Sequence, residues 1–118
     1  LGTLCGECSS NLDVYTGNDH HTVAAMRLGA LGVISVYSNL YPRKMTEICR
    51  LCAAKDWKLA YARQKKLLEG MQALFWETNP IPVKYVMSAM GLCHAQYRLP
   101  LTVPMPETAR RLSKVFDV

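Results

Sequence analysis

Five cysteines, Cys5, Cys8, Cys49, Cys52 and Cys93, are the first residues of this sequence whose type and spacing suggest chemistry. Cys5–Cys8 and Cys49–Cys52 both show the C-x2-C spacing used by zinc centres and redox dithiols. A four-cysteine zinc site separates its two pairs by roughly 15–20 residues. Forty residues lie between Cys8 and Cys49 here, and they read as a strand, a helix and a strand. Cys49 and Cys52 fall within an apolar helical stripe, and Cys5-Gly6-Glu7-Cys8 does not follow a strand as a thioredoxin-type motif does. The cysteines therefore read as small hydrophobes of a reduced, cytoplasmic protein, and no metal or cofactor is implied. The basic residues give a similar answer. Fourteen Lys and Arg against nine Asp and Glu leave a net charge of +5. A nucleic-acid surface gathers such charges on one face with interleaved aromatics. Lys65-Lys66 and Arg110-Arg111 instead fall on the wet faces of amphipathic helices, so no nucleic-acid partner is expected.

The elements that position these residues can be read from spacing. Leu12–Thr16 alternates apolar and polar residues and ends at Gly17, as a short strand does. Gly17-Asn18-Asp19 supplies a turn and a helix N-cap. A helix is expected from His20 to Leu28, with Ala24, Leu28 and Leu31 on one face and Gly29 or Gly32 ending it. Val33–Tyr37 is β-branched and mostly apolar, the pattern of a strand covered on both faces. Strand, helix and strand in this order form a parallel crossover. Beyond it the pattern is helical. Pro42 opens a helix to about Ala54, with Met45, Ile48, Cys49 and Cys52 on one side. Asp56 can cap the next, Trp57 to about Trp76, whose stripe is Leu67, Leu68, Met71, Leu74 and Phe75. Pro82 suits the first position of a short helix ending at Gly91. Pro100, Pro104 and Pro106 impose an extended stretch before a last helix carrying Leu112, Val115 and Phe116.

Two parallel strands are too few for an independent sheet, so neighbours are expected from a missing N-terminal region or another chain. The 118 residues fall short of the roughly 250 of a complete (β/α)8 barrel. Leu28–Leu40, broken by glycines, is too short for a membrane span of about 20 apolar residues. Leu1–Ser10 lacks the basic start and apolar block of a secretory signal. The chain begins with Leu1 rather than Met and is expected to be a piece of something longer.

Gly17-Asn18-Asp19, then Gly32-Val33-Ile34-Ser35-Val36 with Asn39, then Glu77 to Lys84 (E-T-N-P-I-P-V-K), Met90-Gly91 and Leu99-Pro100-Leu101 occur in this order. Together they resemble the C-terminal portion of the dihydrodipicolinate synthase family, from about Leu12 to Val118. The E-x-N-P-I-P-V-K stretch is the specific part; it separates this branch from the related N-acetylneuraminate lyases. The resemblance implies an α/β fold, the C-terminal part of a (β/α)8 TIM barrel. Strands 7 and 8 with their helices would occupy residues 1–55, and an all-helical appendage residues 56–118.

The activity implied is that of a lyase in lysine and diaminopimelate biosynthesis, which condenses pyruvate with aspartate semialdehyde through a Schiff base. Its partners would be those two substrates, the missing barrel strands 1–6 and further copies of itself, as a tetramer. No membrane partner is expected. By this register the Schiff-base lysine and the proton-relaying tyrosines precede Leu1, so no catalytic residue lies in this chain, and alone it is expected to be inactive. Lys44, Lys55, Lys58, Lys65, Lys66, Lys84 and Lys114 all fall on helices or helix ends, away from the strand ends where barrel chemistry sits. Ile34 matches the position whose backbone contacts pyruvate, and Gly17, more weakly, the glycine beside the pocket. Asn18 departs from the family by removing a charge. His20 and His21 replace small residues and read as exposed helix positions. Two other readings stay open: a related pyruvate aldolase with another aldehyde, and a non-catalytic assembly module.

Overall fold

The computed structural model describes residues 2–8 and 11–118, the side chain of Cys8 excepted. Leu1, Ser9 and Ser10 lie outside the described residues, as does any pairing of the Cys8 thiol. The chain divides into two compact units, 1–68 and 69–118.

The first unit is built on the crossover. A short helix, α1 (Gly2–Cys8), precedes β1 (Tyr15–Thr16). A single 3₁₀ turn, Asp19–His21, leads into α2 (Thr22–Arg27), and the chain returns as β2 (Gly32–Val33). The two strands are parallel, with Tyr15 opposite Gly32 and Thr16 opposite Val33. Two bonds extend the ladder: Leu31 N–H donates to Val14 O at 2.8 Å and Ile34 N–H to Thr16 O at 2.8 Å.

Gly29 ends α2, as its position suggested, and the geometry explains why. Its φ of +107° is open to glycine and strained for an L side chain. The Gly29 and Ala30 amides return to Met26 O and Ala25 O, a Schellman closure. Ala25 and Ala30 then pack with Cys5 of α1, with Val14 against them. The helix α1 was not foreseen; its seven residues carry no cap or periodic signal long enough to read.

A third helix, α3 (Pro42–Ala53), buries Met45, Ile48 and Cys52 and half-buries Cys49. It closes in the same way as α2. The Lys55 and Asp56 amides reach Cys52 O and Leu51 O, and Lys55 takes the left-handed position at φ 60°. Asp56 then caps α4 (Trp57–Ala73), its Oδ1 accepting from Leu59 N–H at 3.2 Å. The boundary between the two compact units falls inside α4, after Leu68. Gln64, buried on the first half of this helix, accepts from Val23 N–H at 3.0 Å and donates to His20 O at 3.0 Å. Those bonds tie the front of α4 to the crossover.

The second unit holds the end of α4, α5 (Ile81–Ala89) and α6 (Pro106–Phe116). Its core is Met71, Leu74, Ile81, Val83, Val86, Leu112 and Phe116. Tyr85 and Ser113 join α5 to α6 through their hydroxyls at 3.0 Å. Arg111 lies over the Trp76 ring at 3.9 Å, and Met105 N–H donates to Glu77 at 3.0 Å.

Two expectations need correction. The face of α2 that packs inward carries Thr22, Val23 and Ala25, while Ala24, Leu28 and Leu31 face outward. The reason is local: Val23 is held under Gln64, and Ala25 meets Cys5. The strand expected over Val33–Tyr37 also stops early. Past Val33 the chain turns into a 3₁₀ turn at Tyr37–Asn39, because the Val36 and Tyr37 amides are taken by the Asp19 carboxylate. Ile34 is left 71% exposed rather than covered on both sides.

Candidate functional site

The C-terminal ends of β1 and β2 lie side by side, and the residues singled out from the sequence meet there. Gly17 follows β1 directly and Ile34 follows β2. Gly17 stands in open space, with nothing within 4 Å of where a Cβ would be. The Ile34 amide is committed to Thr16 O, and its side chain faces outward.

The residue that joins these ends is Asp19, which sequence reasoning assigned to a turn and cap. It is fully buried, and its carboxylate caps a different element from its own. The Ser35 hydroxyl donates to Oδ1, and the Val36 and Tyr37 amides donate to Oδ2 at 3.0 and 3.1 Å. The Ser35 hydroxyl in turn accepts from Ser38 N–H at 2.8 Å, and the Ser38 hydroxyl returns to Ser35 O at 3.1 Å. Asn39 Nδ2 donates to Val36 O at 2.9 Å. Beneath this, Thr22 donates its hydroxyl to Asp19 O at 2.7 Å. The only trace in the sequence is an aspartate after one strand and S-x-x-S after the next; spacing does not reveal which amides a carboxylate takes.

Around the carboxylate, proton affinities are displaced. Burial, helped by Tyr41 and Asp19, pushes the Tyr37 phenol up to about 12, and its ring lies 5.2 Å from that of Tyr41. Burial raises the Cys49 thiol and, with Cys49 beside it, pushes Cys52 up to about 11. Both thiols are thereby kept protonated and poorly nucleophilic at neutral pH. The His20 and His21 rings lie 4.1 Å apart, tilted by 57°. His21 is exposed as expected, but His20 is partly covered, with a buried Nδ1. Burial and His21 lower its basicity against the pull of Asp19.

Lys44, Lys58, Lys65, Lys66, Lys84 and Lys114 sit on helices, and Lys55 on the turn after α3. Lys44 lies over the Tyr41 ring at 4.2 Å and Lys84 over Tyr97 at 5.4 Å. Lys65-Lys66 and Arg110-Arg111 are exposed, and Arg63 pairs with Glu47 at 2.9 Å. Among the described residues, no group of three His, Cys, Asp or Glu is placed to hold a metal ion. No helix among them is long and apolar enough to cross a membrane.

A parallel strand–helix–strand crossover followed by helices is an α/β arrangement. Residues 2–117 match the Dihydrodipicolinate synthetase family, and the chain belongs to it. It is 37% identical over 115 residues to the 4-hydroxy-tetrahydrodipicolinate synthase of Acidobacterium capsulatum, covering 98% of this chain and 38% of that protein. The chloride-inhibited dihydrodipicolinate synthase of Acinetobacter baumannii complexed with pyruvate superposes with a TM-score of 0.94 at 35% identity, over 98% of this chain and 40% of that one. A monomeric dihydrodipicolinate synthase variant superposes at 0.86 with 38% identity, over 92% and 36%. The chain thus spans about two-fifths of the length of the proteins it matches.

Proposed function

We propose that this chain is the C-terminal part of a pyruvate-dependent lyase that condenses pyruvate with aspartate semialdehyde on the route to diaminopimelate and lysine. It supplies one wall of the pocket, at Ile34 and Gly17, and contacts between subunits, while the Schiff-base lysine belongs to the rest of the polypeptide. The observation that carries the reading is the unbroken match of residues 2–117 to a family whose pyruvate-bound member superposes over nearly the whole chain.

In this reaction a lysine amine adds to the keto carbon of pyruvate, and water leaves to give the imine. Loss of a methyl proton gives the enamine, whose carbon attacks the aldehyde. The Ile34 amide is spent on Thr16 O, so its carbonyl is the main-chain group offered to the ligand. A carbonyl accepts a hydrogen bond; it suits the hydroxyl formed as the amine adds, not the carboxylate of pyruvate.

The test is borohydride reduction with pyruvate in the full-length polypeptide, followed by peptide mapping. An adduct is expected on a lysine other than Lys44, Lys55, Lys58, Lys65, Lys66, Lys84 or Lys114. An adduct on any of these seven, or none at all, overturns the reading.

A further inference from the structure

We infer that Asp19 is a positioning residue for pyruvate capture: it fixes the peptide plane that carries the Ile34 carbonyl. The inference rests on the proposed role of that carbonyl, but the geometry is independent of it. The Ile34–Ser35 peptide lies between two anchors. On one side the Ile34 amide is held by Thr16 O of β1 at 2.8 Å. On the other, the Ser35 hydroxyl and the Val36 and Tyr37 amides converge on the Asp19 carboxylate. Asp19 follows β1, and Ile34 and Ser35 follow β2, so one buried side chain sets the relative position of both strand ends.

A carboxylate is suited to this task because it presents only acceptors, and all three groups that converge on it are donors. The Ser35 hydroxyl is itself held by the Ser38 amide, which leaves its hydrogen aimed at Asp19. Asparagine would turn a donating NH2 toward one of these donors. Alanine at Ser35 would remove the link nearest the Ile34 carbonyl and spare the two amide bonds. Threonine there would keep the hydroxyl.

The experiment uses the full-length polypeptide and the pyruvate–borohydride reaction, with the rate of adduct formation followed against pyruvate concentration. Circular dichroism measures the folded fraction. Ser35→Ala and Asp19→Asn are expected to raise the half-saturating pyruvate concentration about tenfold per folded molecule, the scale of one weakened hydrogen bond to the ligand. Ser35→Thr is expected to stay near the parent. A merely structural Asp19 would lower the folded fraction and leave the half-saturating concentration of the remainder unchanged, and that result overturns the inference. If Asp19→Asn does not fold, Ser35→Ala decides by the same criterion. If the parent forms the adduct and the folded variants match it, the inference fails and the proposed function stands. If the parent forms none, both fall.

Discussion

At the scale of single residues, burial rather than charge controls the titrating groups of the first unit. Tyr37, with a phenol pushed up to about 12, and Cys52, with a thiol pushed up to about 11, keep their protons in the fold after the unfolded chain has lost them at 10 and 9. Between those values the unfolded state binds fewer protons, so stability falls as pH rises. The melting temperature is expected to decline from about pH 9 upward, and Cys52→Ala should shrink the early part of that decline, to which the raised Cys49 thiol also contributes. A flat profile between pH 8 and 11 would contradict the burial argument. His20 acts in the opposite range. Its lowered basicity in the fold means the unfolded chain takes up a proton first as pH falls below the usual histidine value, so stability present at neutral pH is lost on acidification. The effect should be small, because the ring is only partly covered, and absent in His20→Gln; an NMR titration of the imidazole checks it directly. Asp19 carries the largest single-residue effect. Asp19→Ala strands a hydroxyl and two amides, and a loss of about 3 kcal/mol in denaturant unfolding is expected, on the scale for charge-assisted bonds broken in a buried site. The burial of Cys52 was legible from its place in an apolar stripe; the Asp19 network was not, since the sequence shows an aspartate two residues after a glycine but not the amides it faces.

At the scale of elements, the sequence was most readable where backbone chemistry punctuates it. Pro42, Pro82 and Pro106 sit in the first turns of α3, α5 and α6, because proline lacks the amide those turns leave unused. Asp56 caps α4, and Gly29 and Gly91 take the positive φ that ends a helix. Strand length was less readable: Val33–Tyr37 has strand composition, but pairing requires a partner, and the Asp19 carboxylate competes for the amides of Val36 and Tyr37. The closures of α2 and α3 offer a paired test. Both use the same two return bonds, but α2 has glycine at the left-handed position and α3 has Lys55. Lys55→Gly is therefore expected to stabilise the chain by about 0.5–1 kcal/mol, the left-handed strain relieved less the added chain entropy. Gly29→Ala should destabilise it by about 1 kcal/mol or more, since left-handed strain is added at φ +107°, while the new Cβ would meet Cys5 only at ordinary contact distance. Chemical denaturation of both variants measures the two signs; equal signs would refute the shared geometry.

At the scale of the whole molecule, apolar surface is distributed unevenly. In the first unit Leu28 and Leu31 are each 55% exposed and Ile34 71% exposed. The same residues read from the sequence as an inward face and a doubly covered strand. Their hydrophobicity was legible, and the correction concerns what covers them. Large apolar side chains left exposed in this number favour association, and an unpaired strand edge adds open hydrogen-bonding groups to them. If the rest of the proposed barrel covers these side chains, the 118-residue chain by itself should associate in a concentration-dependent way. Replacing Leu28, Leu31 and Ile34 together by serine should reduce that association while leaving the helical signal unchanged, because none of the three belongs to the buried core. Sedimentation velocity across a concentration series reads the outcome. A folded monomer at every concentration would mean that this surface requires no cover, and it would remove the physical argument for barrel strands beside β2.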